Sequence, residues 1–313
     1  MAHNGLTKPY VLVIGAAGID SKGRAGSPLT LGSSTPGTVR VSVGGTARNV
    51  ADNLARLGIA SVLVSAIGSG GNGRRILSNA ERVGINTDYV FVSDVHHTSA
   101  YLAVLDETGK LVMSVDDMEV LSCITPQVIN YRRGLIRDAE MVVIDSNLSQ
   151  ATVDSVFKAA NRYNTPVCAD PASTAVARRL KPHLKDVYII TPNVREAEVL
   201  SSLTIADEND AITAARALVR AGVDIVIITL AEAGVVYAST SDSGRIPAVA
   251  TEIVDFTGAS DALTAAVVFG LLNNIPLDES VRLGASAAAL TLACSDTVCD
   301  DLSLDLLYDR LLI

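Results

Sequence analysis

The chain has 313 residues, 49% of them hydrophobic and 19% charged, a balance that supports a buried core and excludes an intrinsically disordered polymer. Its formal net charge of −9 argues against a nucleic acid partner, because polyanions are held by clustered Lys and Arg that release counterions, whereas one small anion needs a local nest of amides and a cation, not a positive surface. The four cysteines, Cys123, Cys168, Cys294 and Cys299, form no CxxC pair, so free thiols in a reducing cytoplasm are expected instead of a zinc site or a disulfide framework.

Met1 to Tyr10 is polar, and the apolar run behind it, Val11 to Ile14, is too short for a signal segment or a membrane span; a cytoplasmic protein without membrane contact is expected. Tyr10 to Ile14 reads as the first buried strand. Thr38 to Val43 alternates with period two, the pattern of a strand exposed on one face. Gly44-Gly45 closes that strand and opens a helix over Thr46 to Leu57, with Asn49 one turn in. Paired glycines permit close backbone approach by a ligand, and an Asn can both donate to and accept from neighbouring hydroxyls; the same residues also make an ordinary strand-to-helix turn. A buried strand follows at Ser61 to Ile67 and a helix at Gly73 to Val83. His96-His97, on a turn, reads as a solvated pair. Ser99 to Val115 again alternates, around a turn at Glu107-Thr108-Gly109.

From there strands and helices take turns: strands at Met141 to Asp145, Pro166 to Asp170, Val187 to Thr191 and Ile225 to Thr229, and helices at Gln150 to Asn161, Val194 to Leu200 and Asp207 to Ala221. Strands that are near-continuous Val/Ile/Leu runs, separated by helices, predict a central, mostly parallel sheet covered on both faces. The alternating segments, about 28–43 and 96–116, predict a small β lid on a single α/β domain spanning 1–313, and a lid with an exposed apolar face gives a homodimer through the lid as the expected assembly. Asp170, before Pro171, either caps a turn or faces a cleft.

The most informative segment is Val254-Asp255-Phe256-Thr257-Gly258-Ala259-Ser260-Asp261, which opens an apolar helix running to Leu272. Small residues at a helix start leave free amides aimed at one point, where a phosphoryl charge is stabilised, and Asp261 in the first turn lies within reach of that point. Phosphoryl transfer to an alcohol needs such a base and such an anion hole. Taken alone, Asp261 equally serves the helix dipole and Gly258 a turn.

Together these segments resemble the ribokinase (PfkB) family over nearly the whole chain: the Gly-Gly…Asn element at Gly44, Gly45 and Asn49, and the Asp-Thr-x-Gly-Ala-Gly-Asp element ending at Asp261. Thr191-Pro192-Asn193-Val194-Arg195-Glu196 is similar to the family's Asn-x-x-Glu motif, and the stretch from Thr229 to Gly234 to its ATP-contacting loop. The resemblance implies a ribokinase-like α/β fold and an ATP-dependent kinase acting on a sugar or nucleoside hydroxymethyl group. It makes Asp261 the general base and Gly258, Ala259 and Ser260 the anion hole; Asp20, Gly44, Gly45 and Asn49 hold the sugar. Asn193, Glu196, Thr229, Gly234 and Gly258 serve ATP, Glu196 acting on Mg2+ through phosphates or water. Asp255 and Thr257 fall where many members hold a monovalent cation such as K+. Three positions depart from the pattern: Phe256 for Thr, Ser260 for Gly, and Ala231 for Gly in the nucleotide loop.

Ser34 to Gly37, Asp116-Asp117-Met118 and Ala169 to Thr174 are similar to the pseudouridine kinase branch of the family, which implies the nucleoside 5′-hydroxyl as acceptor, with Ser99, Tyr101 and Asp116 as candidates for the base edge or as strand residues facing water. Ribokinase, other nucleoside kinase and fructokinase activities are the alternatives within the family. Outside it stand a sugar-sensing pseudokinase, disabled at Phe256 and Ser260, and an NAD-dependent oxidoreductase, whose GxGxxG spacing is met by Gly68, Gly70 and Gly73 with Asp88 further on.

Overall fold

A computed structural model describes residues 9–311; residues 1–8 of the polar N-terminal stretch lie outside the described residues. The main sheet has eight strands in the order Ser243–Ile246, Val235–Ser239, Ile225–Thr229, Ile189–Ile190, Val167–Asp170, Met141–Asp145, Val11–Ile14 and Ser61–Val64. Val235–Ser239 runs antiparallel to both of its neighbours; the six strands from Ile225–Thr229 onward are parallel to one another. Both faces are buried, which is why these strands read as continuous apolar runs: Leu12 and Ile14 pack on the side of Phe157 and Leu180, and Val11 and Val13 on the side of Leu54 and Leu263.

Parallel strands in register bring their C-terminal ends to one edge, where Asp145 and Asp170 are direct neighbours and Ile14 leads into Gly15. In open α/β sheets this edge is where ligands bind. The Ala259–Leu272 helix is buried along nearly its whole length, from Asp261 to Gly270, because it packs against the Leu277–Leu292 and Thr46–Arg56 helices. Its first turn is thereby held against Asn49 on Thr46–Arg56.

A separate four-stranded sheet has the order Gly37–Gly44, Gly18–Ala25, Ser99–Leu105, Leu111–Asp117. The lid strands expected from alternation are present, but the lid includes Gly18–Ala25 and has no strand over 28–36. The polar stretch Asp20-Ser21-Lys22-Gly23-Arg24 shows no apolar alternation because its inner face is turned to a polar cleft. Ser42, Asp20, Tyr101 and Asp116 are paired in one row across the sheet and so share that inner face. The outer face carries Val39, Val41, Leu102, Met113 and Val115, all exposed, Val39 by 74%.

The strand expected over Ser61 to Ile67 divides at Ser65, whose hydroxyl donates to the Gly15 carbonyl at 2.7 Å. Ala66–Gly68 then leaves the main sheet and pairs only with Phe91–Ser93. That removes the dinucleotide reading: Gly68, Gly70 and Gly73 do not follow a strand of the main sheet, so no crevice at its C-terminal edge meets them. The strand expected at Val187 to Thr191 shortens to Ile189–Ile190. Among the described residues no helix is long and apolar enough to cross a membrane.

Candidate active site

The loop before the Ala259–Leu272 helix turns through Gly258 at φ 86°, and a Cβ there would stand 1.8 Å from the Thr297 carbonyl oxygen. Only glycine fits, and the turn aims the first amides of the helix, which have no intrahelical acceptor, at the cleft. Ala259 is half-buried and Ser260 exposed at this open start. The Ser260 carbonyl accepts the Thr264 hydroxyl at 2.9 Å, so the serine keeps helical geometry despite its Cβ. Phe256 is 61% exposed and fills no core position, so its side chain is not needed to hold the loop.

Asp261, one turn into the helix, is buried, and Asn49 Nδ2 donates to its Oδ2 at 2.6 Å. Burial pushes its pKa up to about 7; the Asn49 hydrogen bond and the Arg48 charge pull down, while Asp20 and Asp145 push further up. A carboxylate that ionises near neutrality is matched to accepting a hydroxyl proton. The orientation of Asn49 is set from behind: its Oδ1 accepts from Arg48 and, at 3.2 Å, from the Thr297 hydroxyl. Asn49 thus presents its amide nitrogen to Asp261.

Arg48 is fully buried, and its guanidinium also meets Asp52 at 2.8 Å, the Val43 carbonyl at 2.6 Å, Thr297 Oγ1 at 2.9 Å and, through Nε, the Gly44 carbonyl at 3.4 Å. Burial lowers its pKa, offset first by Asp52 and then by Asp20 and Asp261. A buried guanidinium this well paired is a positive anchor under the acidic cleft.

Gly44 ends the Gly37–Gly44 strand opposite Gly18, and a Cβ on it would meet the Asp20 carboxylate at 2.4 Å. Gly45, φ 93°, caps the Thr46–Arg56 helix. Asp20, Gly44, Gly45, Asn49 and Asp261 therefore lie together around one cleft. Burial raises the pKa of Asp20, against the pull of Lys22 and Arg48. Tyr101 is half-buried and Asp116 exposed in Asp20's row; Ser99 lies two residues before Tyr101 on the same face, fully buried, and its hydroxyl has no partner among the described residues.

The nucleotide candidates form a second group. Asn193 caps the Val194–Ser201 helix through a reciprocal box: its Oδ1 accepts the Glu196 amide at 3.0 Å, and Glu196 Oε2 accepts the Asn193 amide at 2.9 Å. The box leaves Glu196 Oε1 free. Thr229 bridges to Asn193, its amide donating to the Pro192 carbonyl at 3.0 Å. The Gly234 carbonyl accepts from Leu230 at 2.8 Å in the loop beyond, where Ala231 adopts φ 51°, a left-handed conformation that the usual glycine takes without strain.

Asp170 joins the two groups. Its Oδ1 accepts the Ala172 amide at 2.7 Å, and burial, then Asp261 and Glu196, hold its pKa well above the usual carboxylate range. It both caps a turn and faces the cleft. Asp145, fully buried, accepts the Ala16 amide at 2.6 Å and the Asn147 amide at 2.9 Å. Arg48, Asp145 and Thr297 escaped the sequence reading; a signal for Asp145 existed, a carboxylate ending a fully apolar strand.

Like charges gathered around Asp170 and Glu196 suit a cation carried in with phosphates. Among the described residues no cluster of three or more His, Cys, Asp or Glu forms a metal cage of its own. Mg2+ is usually held by one or two carboxylates, water and substrate phosphates, so this donor set fits it. The monovalent cation does not fit: Asp255 is taken by Lys22, whose Nζ lies 2.8 and 2.7 Å from its two oxygens.

Residues 8–301 match the pfkB family carbohydrate kinases. The chain belongs to that family and is a phosphotransferase. It is 31% identical to the pseudouridine kinase of Escherichia coli strain K12 over 298 residues, 95% of each chain. It is 28% identical to the guanosine-inosine kinase of Exiguobacterium acetylicum over 288 residues, 91% of this chain and 95% of the relative. The fold of this pfkB kinase matches that of Arabidopsis thaliana ribokinase, solved with ribose and ATP, at TM-score 0.86 and 20% identity, covering 98% and 100% of the two chains.

Proposed function

We propose that this pfkB kinase transfers the γ-phosphoryl group of ATP, as its Mg2+ complex, to the 5′-hydroxyl of pseudouridine. The observation that carries the reaction is the buried Asp261 carboxylate, ionising near pH 7 and hydrogen-bonded to Asn49, in the first turn of a helix whose free amides share its cleft. The acceptor hydroxyl hydrogen-bonds to Asp261, which takes its proton as the oxygen attacks phosphorus. The amides from Gly258 onward meet the charge on the transferred group. Asn193, Thr229 and Gly234 hold the nucleotide, and Asp20 with the Gly44-Gly45 turn holds the ribose. Mg2+ brought in with the nucleotide would neutralise charge on the phosphates, and Glu196 is the residue that would help hold it.

Two observations favour a nucleoside over a free sugar. Tyr101 and Asp116 continue Asp20's row across the lid, so a base attached to the ribose would run along them, and a uracil edge presents both donors and acceptors. The relatives at 31% and 28% identity act on nucleosides by name. The exposed apolar outer face of the lid supports a homodimer through that sheet, and four free cysteines suit a cytoplasmic setting.

ADP release with a panel of pseudouridine, uridine, inosine, adenosine, ribose and fructose tests this, with 31P NMR identifying the product ester. Pseudouridine as the best acceptor, yielding a 5′-monoester, is expected. Preference for a purine nucleoside, ribose or fructose would overturn the acceptor; ligand binding without ADP release from any of them would make the protein a sensor.

A further inference from the structure

Asp255 lies three residues before Gly258, in the loop that sets the helix start. Its Oδ1 accepts the Thr257 amide at 2.9 Å, which folds the carboxylate back onto that loop. Both its oxygens also receive the Lys22 ammonium, at 2.8 and 2.7 Å, across 233 residues of sequence. Lys22 comes from the lid strand Gly18–Ala25, two residues beyond Asp20 and on the same face, and is only 8% exposed, against 16% for Asp255. A potassium ion on this carboxylate would have to sit beside a buried ammonium, where like charges repel strongly because little water screens them.

We propose that Lys22 is a built-in monovalent cation: its ammonium takes the place of a bound potassium ion at Asp255 and ties the acceptor-holding lid strand to the anion-hole loop. An unneutralised carboxylate this close to Gly258 would oppose the negative charge that the helix start receives in phosphoryl transfer; the ammonium cancels it without an exchangeable ion. Because Asp20 and Lys22 share one strand, the same ion pair fixes the sugar clamp relative to the helix start. Lys22 is thus a positioning residue, acting through Asp255.

The test measures ADP release in KCl and in tetramethylammonium chloride at equal ionic strength, with whichever acceptor the panel identifies, so failure of the pseudouridine assignment leaves it intact. The wild-type kinase is expected to show equal kcat in the two salts. Lys22→Met keeps the aliphatic stem and is expected to lose about tenfold or more in kcat in tetramethylammonium, with KM for the acceptor less affected, and to recover severalfold in KCl. Lys22→Arg restores the charge, so it should keep most turnover and show no response to potassium. Melting temperature gives a readout independent of turnover: potassium should raise it for Lys22→Met and not for the wild type. Severalfold activation of the wild type by potassium overturns the proposal, and so does a Lys22→Met protein that turns over normally in both salts. The wild-type comparison decides even where Lys22→Met folds poorly.

Discussion

Replacing Asp261 by Asn removes a proton acceptor and leaves a group of the same shape, whose Oδ1 still accepts from Asn49 Nδ2. Two consequences follow, with opposite signs. Loss of a general base lowers kcat by about 10²–10⁴, while ATP and acceptor bind almost as before. Stability moves the other way. In the fold Asp261 ionises near pH 7 against 3.8 for the exposed group, because burial favours its neutral form. A group whose folded pKa is raised contributes stability that is fully present below the unfolded value and lost as pH rises through the folded one. At pH 8 the wild type therefore carries a buried charge costing up to about 4 kcal/mol, from roughly three pKa units at about 1.4 kcal/mol each, and nearer 1 kcal/mol where neighbours relax. Asp261→Asn is free of that cost. Differential scanning calorimetry at pH 5 and pH 8 should find the variant more stable than the wild type by several degrees at pH 8, with the gap narrowing at pH 5. A variant that keeps near wild-type turnover would remove Asp261 from the proton transfer; one that melts below the wild type at pH 8 would refute the charge-burial account.

The wild-type kcat/KM for the acceptor should rise with pH and level off with an apparent pKa near 7, since Asp261 must be ionised in the free enzyme to accept a proton; a profile flat from pH 5.5 to 8.5 would contradict this. Glu196→Gln keeps the oxygen that accepts the Asn193 amide, so the helix cap survives and melting should change little, while half-maximal activity should require severalfold more Mg2+ in a titration at fixed ATP. Asn193→Ala breaks the cap instead and should cost about 1 kcal/mol in urea unfolding, together with a raised KM for ATP. Ala231→Gly relieves a left-handed φ of 51° and should raise the melting temperature by about 1–2 °C; a fall would mean that the loop gains more from the alanine methyl than it loses in strain.

Much of the main sheet was legible in the chain because its strands are buried on both faces: Val11–Ile14, Met141–Asp145 and Ile225–Thr229 are short, β-branched-rich runs that are apolar at every position or nearly so. The helix start at Gly258 was legible for a local reason too, since a positive φ, an N-terminal carboxylate and an apolar helix all lie within a few residues. Gly18–Ala25 was not, because a strand that turns its inner face to a polar cleft loses the apolar alternation by which strands are recognised. Ser61 to Ile67 misled for the opposite reason: past Ser61 only Ser65 interrupts its apolar run, and the tertiary hydrogen bond from Ser65 to Gly15, with the change of strand partners after it, shows where one sheet ends and another begins.

The amino-acid order by itself determined the repertoire: a covered parallel sheet, a helix start shaped for an anion, and the types of residue that can clamp a sugar and move a proton. Tertiary structure decided which of them meet. Asn49 reaches Asp261 across 212 residues, and Asp170 feels the charges of both Asp261 and Glu196 because parallel strands end at one edge. Lys22 occupies the carboxylate that sequence resemblance had assigned to a metal ion. Local spacing carries no information about such pairings, since they arise only when packing brings distant segments within hydrogen-bond distance and leaves their charges little choice of partner.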